Sequence, residues 1–295
     1  MRRARPLLGT FVEIAGAGIA AGALDRAIDQ AFDAVAVVHR LMSFHDPDSD
    51  VSRVNGEASD RAVAVHPWTY QVLQAALELD RRSAGLFDVA VAPALQRLGL
   101  LPRRADGTTP QYASIEDVIE LGGDCRVRLR HRGSAIDLGG IAKGFAVDQA
   151  IEVLRQHGVP RGLVNAGGDL AAFGDPPEWV HIRHPNDPRR VFAQVQVGDG
   201  ALASSGRTFD ALQFDDVKNC AVIDPRSGQQ VGAIAGATVR APSCMIADAL
   251  TKIVMIAGEA AMPLLEHYRA SALLVLPSGE VRATADWRDG IHLAA

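Results

Sequence analysis

Cysteine is scarce in this chain. Cys125, Cys220 and Cys244 are the only three in 295 residues, and none share a Cys-x-x-Cys spacing. A disulfide framework and a zinc knuckle are therefore excluded as organising principles, and the pattern suits a reducing compartment. Basic charge is not in excess either: 30 Lys and Arg stand against 35 Asp and Glu, a net charge of −5. That balance offers no field for a nucleic-acid backbone. A small anionic ligand stays compatible, because one pocket can be positive while the whole is not. No apolar run approaches the roughly 20 residues of a spanning helix, so no membrane span is expected. What is present, 48% hydrophobic and 22% charged residues, describes a globular chain long enough to bury a real core.

The N-terminus, Met1-Arg2-Arg3-Ala4-Arg5, superficially resembles a secretory signal. Pro6, Gly9-Thr10 and Glu13 interrupt it, so Leu8 to Ile14 reads as a first strand and the protein is expected in the cytoplasm. Leu24, Ile28, Ala31, Phe32, Val35, Val38 and Leu41 recur at helical spacing from Ala23 to Met42. Pro67 opens a second helix to about Ser83, which Gly85 stops. The polar stretch Pro102 to Gln111 is a loop or insertion. Arg126 to Arg132 alternates basic and apolar residues as a half-exposed strand, its basic face either an anion stripe or simply solvated. Ala135 to Leu138 reads as a strand, Gly144 to His157 as a helix, Leu163-Val164 as a short strand and Ala247 to Ala257 as a helix. No repeats, no Ser/Gly linker and no regular βαβ alternation occur. The expectation is a single α+β domain over residues 1–295, with mixed or antiparallel sheets and packed helices.

Four segments concentrate glycine and charge: Ile136 to Gly144, Asn165-Ala166-Gly167-Gly168-Asp169, Ser204-Ser205-Gly206-Arg207 and Ala247-Asp248-Ala249-Leu250. Adjacent glycines at a strand-to-helix junction let backbone N–H groups approach an anion closely, and a helix N-terminus favours negative charge. Lys143 at such a junction is a natural phosphate partner. A lone Gly-Gly more often just makes a tight turn. Gly139-Gly140-Ile141-Ala142-Lys143-Gly144 is neither GxGxxG nor a P-loop, so Rossmann and P-loop nucleotide sites are excluded.

Taken in order, the segments resemble one family, the FAD:protein FMN transferases or ApbE-type flavin transferases. The resemblance runs from Leu8-Gly9-Thr10 through Met42-Ser43-Phe44, Ser49 to Asn55, Gly85 to Val89, Ile136 to Gly144, Asn165 to Asp169 and Ile223 to Gly228, to the segment Ala241 to Leu250. It implies that FAD is split with Mg²⁺, that AMP is released, and that FMN passes through a phosphoester to a threonine of an acceptor flavoprotein. It assigns Met42, Ser43 and Phe44 to the flavin or its linker. Gly139, Gly140 and Lys143 fall to the pyrophosphate, and Asn165, Gly167, Gly168 and Asp169 to the nucleotide. Asp88, Asp137, Ser205 and Gly206 join the FAD-binding set, and Asp248 with Lys143 carries catalysis. The Asp248 carboxylate and the Ala142 carbonyl are the implied metal ligands, hard oxygens of the kind Mg²⁺ takes.

Three positions depart from the resemblance. Ala221 stands where the family commonly has a histidine, a candidate base for the acceptor hydroxyl. Lys252 stands four residues after Asp248, where a metal-binding threonine is common. Thr251, about 100° away on a helix, cannot simply replace it. Arg207 replaces an acid. An FAD-binding pseudoenzyme and an FAD pyrophosphatase are the competing expectations. The histidines lack HxxxH spacing and read as surface or turn residues. Asp46, Asp48 and Asp50 lack the Gly and Glu of a calcium loop. Cys244 reads as a small buried residue. Gly236-Ala237-Thr238 echoes a flavin acceptor core but reads as an ordinary strand.

Overall fold

The computed structural model describes residues 1–102, 114–206, 222–287 and 291–293. Most of the Pro102 to Gln111 stretch, together with Arg207, Cys220 and Ala221, lies outside the described residues. The chain forms two compact units, one of Met1–Ala36, Lys143–Val222 and Gln230–Ala295, the other of Val37–Ala142 and Ile223–Gln229.

The first unit is built on an eight-stranded sheet. Its strands are β1 (Arg2–Leu7), β2 (Thr10–Ala17), β6 (Arg161–Ala166), β7 (Asp169–Phe173), β10 (Gly200–Gly206), β13 (Gly236–Ala241), β14 (Ser271–Val275) and β15 (Val281–Ala283). They pair in that spatial order, every neighbour antiparallel. The N-terminal arginines thus belong to a strand of their own rather than to a prelude. Leu8 and Gly9, both at positive φ, form the two-residue turn into β2. Arg3 and Arg5 both reach Asp29 on α1 (Ala21–Met42), and Arg5 lies 4.5 Å over the Phe32 ring. Long-range pairing of this kind leaves no trace in a local reading.

Both faces of the sheet are covered, which is why β7 and β14 are buried along their whole length. One face packs Leu163, Leu170, Leu202 and Leu273 on Ile182, Ala193 and Val195 of a second sheet, formed by β8 (Glu178–His184), β9 (Asp187–Val197) and β16 (Ile291–Leu293). On the other face α6 (Cys244–Ala257) packs against β10 and β13, and α5 (Ala142–Gln156) brings Leu154 to Gly162 of β6. Thr238 sits buried in β13 with its hydroxyl bonded to Ser204 at 2.9 Å. The acceptor-like tripeptide is therefore an internal strand.

The second unit holds α2 (Asp50–Glu57), α3 (Pro67–Ser83), α4 (Ala92–Arg97) and a small sheet in the order β3 (Val63–Ala64), β5 (Arg126–Leu129), β4 (Ile119–Gly122). Helix α3 starts at Pro67 as expected, but its left-handed stop is Ala84, at φ 52°, one residue before Gly85. Buried Asp50 ties α2 to α3, accepting from Thr69 Oγ1 at 2.7 Å and from the His66 N–H at 2.8 Å. Ala135 to Leu138 is not a strand. Asn55 holds this extended segment, donating to the Ile136 carbonyl at 2.8 Å and accepting its N–H at 2.7 Å.

Candidate active site

In the first unit two strands and two helices converge on a buried charge cluster. The β6–β7 hairpin turns through Gly167 and Gly168, both at positive φ, and Asn165 Oδ1 accepts the Gly168 N–H at 2.9 Å. A side chain on Gly167 would meet Thr10 Oγ1 at 2.7 Å, so only glycine fits this turn. The turn delivers Asp169 into the interior, where Lys143 at the start of α5 binds its Oδ2. Asp169 Oδ1 is buried without a partner among the described residues.

Asp248, fully buried on α6, faces the same lysine. Lys143 Nζ lies 3.9 Å from its Oδ1, and the Gly144 N–H donates to its Oδ2 at 3.1 Å. One helical turn on, the Lys252 ammonium donates to Asp248 Oδ1 and, at 3.0 Å, to its carbonyl oxygen. Thr251 Oγ1 donates to the same carbonyl at 2.7 Å and shares a 2.7 Å hydrogen bond with Ser205 of β10. Gly206 ends β10 opposite Gly236.

The charges fit one another. Desolvation pushes Asp248 up, but Lys143 and Lys252 outweigh it and hold the carboxyl below its ordinary range. Desolvation and repulsion from Asp248 raise Asp169 instead. Desolvation works against the Lys143 ammonium, yet the two aspartates more than offset it and its pKa is raised. Lys143 is thus charged at every working pH. Cys244 is buried and its thiol is pushed well up by desolvation, so it is inert here.

Asp148 on α5 had no role in the sequence reading, yet it positions α6. Its two oxygens accept the N–H groups of Cys244 and Met245 at 2.7 and 2.9 Å, beside the Ser243 cap of that helix. The available signal was an acid set among the apolar residues of α5. Desolvation raises it from an ordinary 3.8 to about 6. The folded state therefore holds this proton more tightly than the unfolded chain. The associated stability is complete below about pH 4 and is lost as pH rises through about 6. Between about pH 4 and 6 the melting temperature of the wild type should fall as pH rises, relative to that of Asp148→Asn, which has no proton to lose there. Parallel curves would remove Asp148 from this role.

In the second unit, Ser49, the cap of α2, donates to the Ser43 carbonyl at 2.6 Å, and the Phe44 ring meets His45 edge-on. Met42 is buried at the end of α1. Asp88 Oδ1 accepts the Ala90 N–H at 2.6 Å, and the Asp137 N–H donates to the Val89 carbonyl at 2.7 Å. Desolvation raises the Asp137 carboxyl, partly opposed by the Gly139 N–H. Gly139 and Gly140 form the turn that closes through the Leu138 carbonyl onto Ile141 and Ala142.

The donor set does not fit a divalent ion as arranged. Asp248 Oδ1 is taken by an ammonium, and Oδ2 by an amide. Two ammonium groups would also oppose a dication at close range. Among the described residues no three His, Cys, Asp or Glu side chains gather as a metal cage.

The site is thus an antiparallel α+β scaffold holding a lysine–aspartate cluster beside a glycine turn. The chain belongs to the ApbE family, whose sequence model matches residues 8–274. It is 29% identical to the FAD:protein FMN transferase of Vibrio cholerae over 75% of this chain and 70% of that protein. It is 26% identical to that of Treponema pallidum over 90% and 82%. The structure of the flavin transferase ApbE from Vibrio cholerae superposes with a TM-score of 0.80 at 26% identity, covering 98% of both chains. The ApbE protein of Thermotoga maritima shares the fold, with a TM-score of 0.84 at 23% identity over 98% of both chains.

Proposed function

We propose that this chain is an FAD:protein FMN transferase, moving FMN from FAD to a threonine of an acceptor protein. The observation that carries this reading is Lys143. Its side chain is one-third exposed, and its ammonium, at the start of α5, is anchored by two buried aspartates within a chain matched to the family almost end to end. A fixed, always-charged lysine at a helix N-terminus is suited to a pyrophosphate.

The reaction balances simply. The threonine hydroxyl oxygen bonds to the phosphorus on the flavin side of the pyrophosphate, and that phosphorus loses its bridging oxygen to AMP. The hydroxyl proton passes to solvent, one per transfer. Lys143 offsets charge building on the bridging oxygen. Assignment of Asn165, Gly167 and Gly168 to the nucleotide, and of Met42, Ser43, Phe44, Asp88, Asp137, Gly139 and Gly140 to the flavin and its linker, rests on the resemblance. So does the threonine as acceptor residue. The Mg²⁺ implied by the resemblance, with Asp248 and Ala142 as ligands, is the one part that the donor set argues against. A cytoplasmic placement rests on the reading of Leu8 to Ile14 as a strand and on cysteine usage. Among the described residues no helix is long and apolar enough to cross a membrane.

Chromatography of the small-molecule products tests the proposal. With FAD and an acceptor domain, AMP should appear in equal amount with modified acceptor. AMP with free FMN and unmodified acceptor would instead make the protein an FAD pyrophosphatase, water taking the place of the hydroxyl. FAD bound without products would make it a binding module.

A further inference from the structure

We propose that Lys252 acts as a tethered cation at Asp248, taking the place that a divalent ion would occupy, so that FAD binding needs no divalent metal. The inference rests on the flavin-transferase reading above.

Lys252 lies four residues after Asp248 on α6, the spacing that puts two side chains on one face one turn apart. Its Nζ donates both to Asp248 Oδ1 and to the Asp248 carbonyl oxygen. The carboxylate oxygen is the hard donor a magnesium ion would select, and here an ammonium engages it. The lysine side chain is 18% exposed and the carboxylate it holds is fully buried. Thr251 is turned away from this role. Its hydroxyl is committed to the Asp248 carbonyl and to Ser205.

The charge balance agrees. Lys143 and Lys252 match Asp169 and Asp248 one for one, and the further acid beside them, Asp148, spends both oxygens on the Cys244 and Met245 amides. An ammonium supplies one positive charge where a divalent ion supplies two, and it cannot dissociate. Affinity for FAD should therefore be indifferent to chelators, whereas an oxygen donor in place of the lysine should restore a site for the metal.

The test measures FAD binding by flavin fluorescence, and Mn²⁺ binding by electron paramagnetic resonance, on the full chain. Mn²⁺ shares the oxygen preference of Mg²⁺. For the wild type, FAD affinity is expected to change by less than about twofold when EDTA is added, with no stoichiometric Mn²⁺ bound. Lys252→Thr should bind FAD about tenfold or more weakly in EDTA and recover with Mn²⁺, which it should bind one to one. The wild-type measurements stand even if the variant folds poorly. Wild-type FAD binding that requires a divalent ion, or stoichiometric Mn²⁺ lost in Asp248→Asn, would overturn the inference and leave the flavin reading intact. No FAD binding with or without metal would instead overturn the flavin reading itself.

Discussion

Asp248→Ala is expected to abolish FMN transfer, by at least about a hundredfold, and to cost the fold about 3 kcal/mol. This carboxylate is fully buried and is the shared anchor of the cluster. Removing it deprives Lys252 of its carboxylate partner, weakens the hold on Lys143 and orphans the Gly144 N–H. Leaving a charge without its counterpart in a shielded site is among the costlier single changes. The stability loss sits at the lower end of that class because both lysines keep partial access to water. Asp248→Asn separates the two effects. Its amide oxygen can still accept from Gly144, so it should melt closer to the wild type while remaining inactive. Product formation by either variant at the wild-type rate would remove Asp248 from the chemistry.

Gly144→Ala should be nearly as damaging for a different reason. A Cβ there would stand 2.2 Å from the Cys244 carbonyl oxygen and 2.8 Å from Asp248 Cβ. Both obstacles belong to α6, and a carbonyl cannot rotate away as a side-chain tip can. The helices would have to part, breaking the Gly144 to Asp248 hydrogen bond at the same time. Overpacking of this kind costs about 3 kcal/mol. A glycine-to-alanine change elsewhere need not hurt. Gly22 is exposed in α1, with nothing nearer than Arg26 at 3.9 Å, and Gly22→Ala should gain about 0.5 kcal/mol from helix propensity. Chemical denaturation of the two variants should therefore shift in opposite directions. Equal midpoints would contradict the packing described for α5 and α6.

The parts of this molecule that were legible in its sequence are those with local causes. Helix α3 begins at Pro67 because proline is tolerated only in a first turn, and α1 follows from its 3.6-residue apolar period. The Gly167-Gly168 turn and the position of Lys143 at a helix start were equally visible. Partners distant in sequence were not. Ala135 to Leu138 is apolar and extended, as a strand would be, but Asn55 satisfies the backbone of Ile136 in place of a ladder. Arg2 to Arg5 looked like a targeting flank because Asp29 and Glu13, which pair with them, lie elsewhere in the chain. Lys252 was recognisable as a departure from the family pattern, but its grip on two oxygens of Asp248 needed coordinates. Asp148 went unnoticed because its partners are backbone amides nearly a hundred residues away.

The measurement that bears most directly on the central claim is the intact mass of an acceptor. The purified protein should be incubated with FAD and a domain bearing a Ser-Gly-Ala-Thr segment, beside the same domain with the threonine replaced by alanine. An FMN-sized gain is expected on the threonine form alone, absent without FAD. An acceptor that keeps its mass while FAD is bound or hydrolysed would contradict it.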